Sequence, residues 1–355
     1  MPTETQPVIL SAQNIVKQFR SGHDIINAVN NVSFEVYQGE TLAIVGESGC
    51  GKSTLGRVLL QLHPQTSGEV IYQGKSLTNL THQQMRSLRK ELQMIFQDPF
   101  ASLNPRMTIY KALAEPLKIH QQLRGKALDN AVFELLDLVG LAASHADSYP
   151  AEFSGGQRQR IAIARALATK PTLIVGDEPV SALDVSVQAQ VINLMNELKA
   201  KFGLTLILIS HDLSVIEHMA DRVIVMYLGQ IVEMGTTDEV FNAPRHPYTQ
   251  ALLSSIPHPV PGSNQLKTLQ GELPNPKNLP SGCYFRSRCQ YAEARCQQEH
   301  PEVAPIDGNG SHQVACFRHQ EVPDFIPIQL DELESKDYQA RRKIYQAYSA
   351  AHTPA

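Results

Sequence analysis

Gly46-Glu47-Ser48-Gly49-Cys50-Gly51-Lys52-Ser53-Thr54 is the stretch whose reading decides the fold. It follows the continuous run Thr41-Leu42-Ala43-Ile44-Val45, which reads as a buried strand, and it precedes a helix from about Ser53. The glycines let the backbone curl until its N–H groups point inward at phosphate oxygens, and the helix N-terminus adds positive potential. Lys52 is placed to reach the β- and γ-phosphates, and the Ser53 hydroxyl to ligate Mg²⁺. A glycine-rich strand–helix turn without a ligand is the plainer alternative. The Cys50 side chain is expected to face away from the nucleotide and has no catalytic role.

Working outward, strand and helix patterns alternate. Short strands are expected over 8–45, where Val32-Ser33-Phe34-Glu35-Val36 alternates in the half-buried manner. A further strand falls in 67–74, a polar helical stretch in 80–92, and a buried strand at Gln93-Met94-Ile95-Phe96. Residues 98–170 are mostly helical in pattern. Leu173-Ile174-Val175-Gly176-Asp177-Glu178 is a buried strand ending in two carboxylates. Asp177 would hold Mg²⁺ and Glu178 would polarise an attacking water; a solvated turn is the bland alternative. A helix over 186–202, a strand over 204–209, a helix over 213–220 and a strand at 222–226 follow. The core is therefore α/β with a largely parallel sheet.

Phe153-Ser154-Gly155-Gly156-Gln157-Arg158-Gln159-Arg160 resembles the signature motif of ATP-binding-cassette (ABC) ATPases. The resemblance implies a P-loop NTPase core with an N-terminal antiparallel β-subdomain, a helical subdomain at about 98–170, and ATP with Mg²⁺ as ligands. It implies that Ser154, Gly155, Gly156 and Gln157 bind the γ-phosphate held by the opposite subunit. It assigns Gln97 to sensing Mg²⁺ and water, Ser181-Ala182-Leu183-Asp184 to a loop touching the opposite site, and His211 to orienting the catalytic water. Phe19 matches the aromatic that stacks on adenine, with a core Phe as the alternative. Gly176 stands where the family usually has an apolar residue.

Phe96-Gln97-Asp98-Pro99-Phe100-Ala101-Ser102-Leu103-Asn104-Pro105, Asp177-Glu178-Pro179-Val180-Ser181-Ala182-Leu183-Asp184-Val185-Ser186, His246-Pro247-Tyr248-Thr249-Gln250-Ala251-Leu252-Leu253 and Gly271-Glu272-Leu273-Pro274 are similar to segments of the ATPases of dipeptide and oligopeptide importers. On that likeness residues 8–255 form the ATPase domain, 256–323 a C-terminal extension, and 324–355 a tail with a weakly amphipathic, helical pattern. Six of the 22 prolines lie at 257–280, so a loop-rich connection is expected to separate the extension from a core that folds without it. The extension carries Cys283-x5-Cys289-x6-Cys296-x19-Cys316. Four clustered thiols in a reducing compartment suggest metal ligation before disulfides. Their spacing lacks the tight pairs of compact zinc sites and the common ferredoxin pattern. Zinc, an iron–sulfur cluster and four free thiols all stay open on spacing; the importer resemblance implies a four-iron, four-sulfur cluster. His300, His312 and His319 stand nearby as substitute ligands, but neutral surface histidines are the plainer reading.

Composition narrows the function class. The chain has 355 residues, enough for two or three domains, and 42% hydrophobic against 19% charged residues, which excludes a disordered chain. A net charge of −4 argues against a protein that coats nucleic acid. No apolar run reaches the roughly 18 residues of a membrane span, and the N-terminus has no leader pattern. The expectation is a peripheral protein on the cytoplasmic face of the inner or plasma membrane. One phosphate loop and one signature occur, so a complete site needs a dimer. The resemblance favours a sibling ATPase as the second subunit, two integral membrane permease subunits, and an extracytoplasmic peptide-binding protein acting indirectly. Rival readings are a soluble cassette acting on ribosomes or nucleic acid, an importer for nickel or glutathione, and a nucleotide-binding regulator without turnover.

Overall fold

Strand Thr41–Val45 is buried at every position, as its unbroken apolar character requires. The computed structural model, which describes residues 6–22, 24–255, 271–306 and 310–325, sets it inside an eight-stranded sheet. The order runs Ala304–Pro305, Gln313–Val314, Gln230–Thr236, Arg222–Tyr227, Thr41–Val45, Thr205–Ser210, Leu173–Asp177, Leu92–Ile95. The last five pair in parallel and the first three add antiparallel. Four adjacent parallel strands therefore end on one edge, and the phosphate loop, His211, Glu178 and Gln97 follow those four ends. Open α/β sheets bind ligands at such an edge.

A second, antiparallel sheet runs Asp24–Tyr37, Val8–Ser21, Ser67–Tyr72, Lys75–Ser76. Its first two strands are 14 residues each, longer than the short strands expected from alternation. The reason is local: register shifts interrupt the pairing, and Asn14 and Asn31 take left-handed φ of 49° and 54°. Each shift breaks the period-two pattern without ending the strand. Apolar side chains of both sheets, among them Leu10, Ile15, Val32 and Phe34 with Leu42, Ile44 and Ile207, close one core cluster.

The expected helical region contains helices Ile109–His120, Gly125–Leu138 and Gly155–Leu167. Thr108 caps the first through its side chain. Leu113, Leu117, Leu128, Val132, Leu136 and Ile161 meet in the second core cluster. Of the apolar residues Leu135, Leu136, Leu138 and Val139, expected to form one face, Leu135, Leu136 and Val139 are buried and Leu138 is half-buried. No helix among the described residues is long and apolar enough to cross a membrane.

The cysteine-bearing extension is built into the core rather than separated from it, contrary to the proline-based expectation. Gln313–Val314 pairs with Gln230–Thr236, Val314 opposite Glu233 and Gln313 opposite Met234. The Ala315 N–H donates to Val232 O at 2.8 Å. Asn27 N–H donates to Pro276 O at 3.1 Å, Asn30 Nδ2 to the Tyr284 hydroxyl at 2.8 Å, and Gln250 Nε2 to Pro323 O at 2.9 Å. Two-residue strands carry no periodicity for a sequence reading to find. Residues 256–270 and the tail expected to be helical beyond 325 lie outside the described residues.

Candidate functional site

Glycine is obligatory at two points of the loop after strand Thr41–Val45. Gly46 has φ 149° and a Cβ there would fall 2.2 Å from Met226 O; Gly51 has φ 106° and its Cβ would fall 2.0 Å from Ala28 O. Gly51 is the N-cap of helix Lys52–Leu59, so the loop feeds into a helix N-terminus with unsatisfied N–H groups. Lys52 is buried, and its ammonium donates to Gly46 O at 2.7 Å and Glu47 O at 2.9 Å. Ser48 and Gly49 form the exposed rim, and Thr54 is half-buried in the first turn. Cys50 turns into the core, where burial pushes its thiol pKa up.

Ser53 Oγ donates to Asp177 Oδ1 at 2.6 Å, joining the helix to the end of strand Leu173–Asp177. Asp177 is fully buried; burial pushes its carboxyl up, while Ser53 and Arg57 pull it down. Its Oδ2 accepts no hydrogen bond, Arg57 standing off at 3.5 Å. A hydroxyl and a buried carboxylate oxygen with no hydrogen-bond donor are hard oxygen donors of the kind Mg²⁺ takes. Gly176 is explained by space: its Cβ would stand 3.1 Å from Leu208 Cδ2 and 3.3 Å from Pro179 Cγ.

Glu178 sits at φ 48°, a left-handed conformation uncommon for a side-chain-bearing residue. Its N–H donates to Ile209 O at 2.9 Å, which fixes the turn. Gln97 Nε2 donates to Glu178 Oε2 at 2.7 Å, and His211 Nδ1 lies 3.0 Å from Oε1. The Glu178 carboxylate is 12% exposed and the imidazole 55%, so the acid lies inside and the histidine faces outward. Gln97 and His211, from two strand ends, thus converge on the carboxylate at a third.

Ser154 caps helix Gly155–Leu167 in a reciprocal box with Gln157, Gln157 N–H to Ser154 Oγ at 3.3 Å and Ser154 N–H to Gln157 Oε1 at 3.0 Å. Gly156 is forced by contact, because its Cβ would fall 2.3 Å from Val187 Cγ1, and a Cβ on Gly155 would meet Leu183 Cδ2 at 3.3 Å. The segment therefore packs on Ser181-Ala182-Leu183-Asp184 and the helix Val185–Phe202 after it. Ser181 donates its hydroxyl to Glu178 O at 3.1 Å, which ties that loop to the acid.

A family profile described as "ABC transporter" matches residues 29–181, and one described as "Oligopeptide/dipeptide transporter, C-terminal region" matches 232–296. The oligopeptide transport ATP-binding protein AppF of Bacillus subtilis is 50% identical over 327 residues, 89% of this chain and 99% of its own. The chain belongs to the ABC transporter ATPases of the oligopeptide/dipeptide family. The dipeptide transport ATP-binding protein DppF of Escherichia coli is 50% identical over 294 residues, 82% of this chain and 87% of its own. A solved dimeric structure of the ATP-binding cassette MJ0796 in a post-hydrolysis state with ADP and Pi is similar at a TM-score of 0.60 and 30% identity, covering 64% of this chain and 99% of that one. An ATPase of this family binds ATP with Mg²⁺ and hydrolyses it.

Phe19 is half-buried rather than a core residue; the Lys17 ammonium lies 4.8 Å above its ring and His63 meets it edge-on at 5.9 Å. The metal centre expected at the cysteines has no such geometric support: among the described residues no group of three or more His, Cys, Asp or Glu side chains could hold a metal ion. Cys296 is buried and the other three are half-buried. Burial pushes the Cys283 thiol to about 11 and the Cys316 thiol to about 12. His312 is no surface histidine: its Nε2 lies 2.8 Å from Oε1 of the fully buried Glu233. His300 and His319 contact Gly282 O and Cys316 O, each at 3.0 Å.

Sequence reasoning missed two residues that touch the phosphate loop from the C-terminal side. The Glu47 N–H donates to the Tyr248 hydroxyl at 2.8 Å. The Arg288 guanidinium donates to both Glu47 carboxylate oxygens, at 2.6 and 2.9 Å. The signal in sequence was the His246-Pro247-Tyr248 segment, recognised only as a family likeness.

Proposed function

We propose that this chain is the ATP-hydrolysing subunit that energises import of dipeptides or oligopeptides through a separate membrane permease. The observation that carries it is the match of residues 232–296 to an oligopeptide/dipeptide transporter C-terminal region, on a chain half identical to named peptide-transport ATPases. The same match weighs against a cassette acting on ribosomes or nucleic acid.

In this reading the N–H groups of 46–54 and the Lys52 ammonium cradle the phosphates, and Phe19 stacks on adenine. Ser53 and Asp177 would hold Mg²⁺, with Gln97 beside them, and the bound ion would supply charge neutralisation at the β- and γ-phosphates. Glu178 accepts a proton from water as the water oxygen attacks the γ-phosphorus and the bond to the bridging oxygen of ADP breaks. The half-buried placement of Glu178 leaves it open to a water, and His211 and Gln97 hold its two oxygens so that it faces one way. Ser154, Gly155, Gly156 and Gln157 complete the site of a second subunit, and Ser181-Ala182-Leu183-Asp184 lies across the same interface. The second subunit is a sibling ATPase, and two integral membrane subunits form the path. A peptide-binding protein delivers the substrate from outside, nucleic acid is not a partner, and the chain is peripheral on the cytoplasmic face of the inner or plasma membrane.

The extension is read as holding a four-iron, four-sulfur cluster on Cys283, Cys289, Cys296 and Cys316, with zinc as the alternative. What supports it is the clustering of the four cysteines in sequence together with one backbone tie between two of their segments, Cys283 N–H donating to Cys296 O at 2.9 Å. Among the described residues no group of three or more metal-ligating side chains is assembled, which weighs against zinc and the cluster alike. A cluster there would brace the extension and take no part in ATP chemistry.

Gentle solubilisation of membranes followed by identification of what co-purifies tests the proposal. Two integral membrane proteins and a second ATPase are expected. Recovery with ribosomes or nucleic acid, or without any membrane subunit, would contradict it.

A further inference from the structure

Glu47 is an awkward residue to find in a phosphate loop. The loop must present N–H donors and the Lys52 ammonium to an anion, yet it carries a carboxylate five residues before that lysine. Left alone, the carboxylate would repel phosphate and compete for Lys52, whose ammonium already lies 2.9 Å from the carbonyl oxygen of Glu47.

The extension removes this conflict. Arg288 donates from both terminal nitrogens to both Glu47 oxygens, at 2.6 and 2.9 Å, and its side chain is only 3% exposed. The Glu47 side chain is 27% exposed, so the bidentate pair is directional and only partly screened. The main chain of the same residue is gripped as well, by the buried Tyr248 hydroxyl at 2.8 Å. Both holders rest on one aromatic cluster. Phe285 is 3% exposed, with ring centroids 5.5 Å from Tyr248 and 5.3 Å from Tyr227. Phe285 O accepts the Arg288 N–H at 3.0 Å, and the next residue in the chain is Cys289. The segment that carries two of the four cysteines is thus the segment that carries the grip on the phosphate loop.

We propose that Arg288 is a positioning residue of the nucleotide site: it holds the Glu47 carboxylate away from Lys52 and from the entering triphosphate, and so links the fold of the cysteine-bearing extension to affinity for ATP. The proposal rests on the reading of 46–54 as the ATP site. It separates two roles that a truncation of Arg288 would blur. If Arg288 only struts the extension, removing the Glu47 charge cannot compensate for its loss. If Arg288 neutralises and withdraws that charge, removing the charge makes Arg288 dispensable for binding.

The test is equilibrium binding of ATP with Mg²⁺ to the full-length chain, measured for R288A and R288K in the native and E47Q backgrounds. R288A is expected to weaken binding by about tenfold, equivalent to 1.4 kcal/mol, in the native background. R288K falls between, because an ammonium keeps the charge but not the fork. In the E47Q background R288A costs less than about threefold, the coupling that a double-mutant cycle reads. Native-like affinity in R288A, or a penalty as large in the E47Q background as in the native one, overturns the proposal. Should R288A not fold, R288K carries the same comparison. A native chain that binds no ATP would instead overturn the reading of the site itself.

Discussion

His211 Nδ1 lies 3.0 Å from Glu178 Oε1. The other carboxylate oxygen takes a hydrogen bond from Gln97 at 2.7 Å, and the backbone of Glu178 is left-handed at φ 48°. The acid is thus held at its main chain and at both oxygens, which is the preorganisation that a group meant to meet a water needs.

Replacing the acid separates binding from turnover. Glu178→Gln keeps the phosphate loop and the partners of residue 178 but removes the base. Hydrolysis should fall by ~10²–10⁴-fold while ATP binding persists, and an ATP-bound dimer should accumulate. Steady-state phosphate release and gel filtration with ATP read both effects. Unchanged hydrolysis in the assembled transporter would show that Glu178 is not the base.

The signature serine tests subunit sharing. Ser154→Arg puts bulk and charge at the N-cap of helix Gly155–Leu167. Nucleotide binding to the isolated chain should survive, and ATPase activity of the complex should drop. Loss of binding in the isolated chain would place Ser154 in its own site.

The extension and the core should unfold together. Phe285→Ala empties the space between Tyr227 and Tyr248 and should cost about 3–5 kcal/mol in urea unfolding. A separate early transition of the extension, with the core midpoint unmoved, would restore the picture of independent modules.

Acid should weaken the protein through His246. Burial depresses its pKa from 6.5 to about 4, and its Nδ1 accepts the Tyr248 N–H at 3.0 Å. The folded imidazole is neutral while the unfolded one binds a proton below 6.5, so stability is full above that pH and is lost as pH falls toward about 4. The loss is about 3 kcal/mol. His246→Asn keeps an N-cap acceptor and removes the titration, so its unfolding free energy should fall less over that interval than the native chain's. Equal slopes would remove His246 from the account.

Iron is the readout for the cysteines. Oxygen-free purification should give brown protein with about four irons per chain, and Ser at Cys283, Cys289, Cys296 or Cys316 should lower iron content while Cys50→Ser should not. Stoichiometric zinc without iron would favour zinc, and no metal would leave four thiols.

The phosphate loop was legible because its glycines encode backbone geometry directly: Gly46 and Gly51 admit no Cβ. The strands ending at Val45, Asp177 and Ser210 were legible because burial on both faces leaves unbroken apolar runs. The convergence of Gln97 and His211 on Glu178 was not, since strand order is not written in local pattern. Nor was Arg288 on Glu47, 241 residues away, because a long-range ion pair leaves no periodic trace. The strand Gln230–Thr236, which receives the extension, escaped notice between two recognised motifs.

The central claim is that ATP hydrolysis by this chain drives peptide across a membrane. The most direct measurement is uptake of a labelled oligopeptide by vesicles reconstituted with the co-purified complex, with a peptide-binding protein supplied on the side opposite to ATP. Uptake should require ATP and should fall with hydrolysis when this chain carries Glu178→Gln. Uptake that continues at the native rate with that variant, or that never occurs while ATP is hydrolysed, would contradict the account.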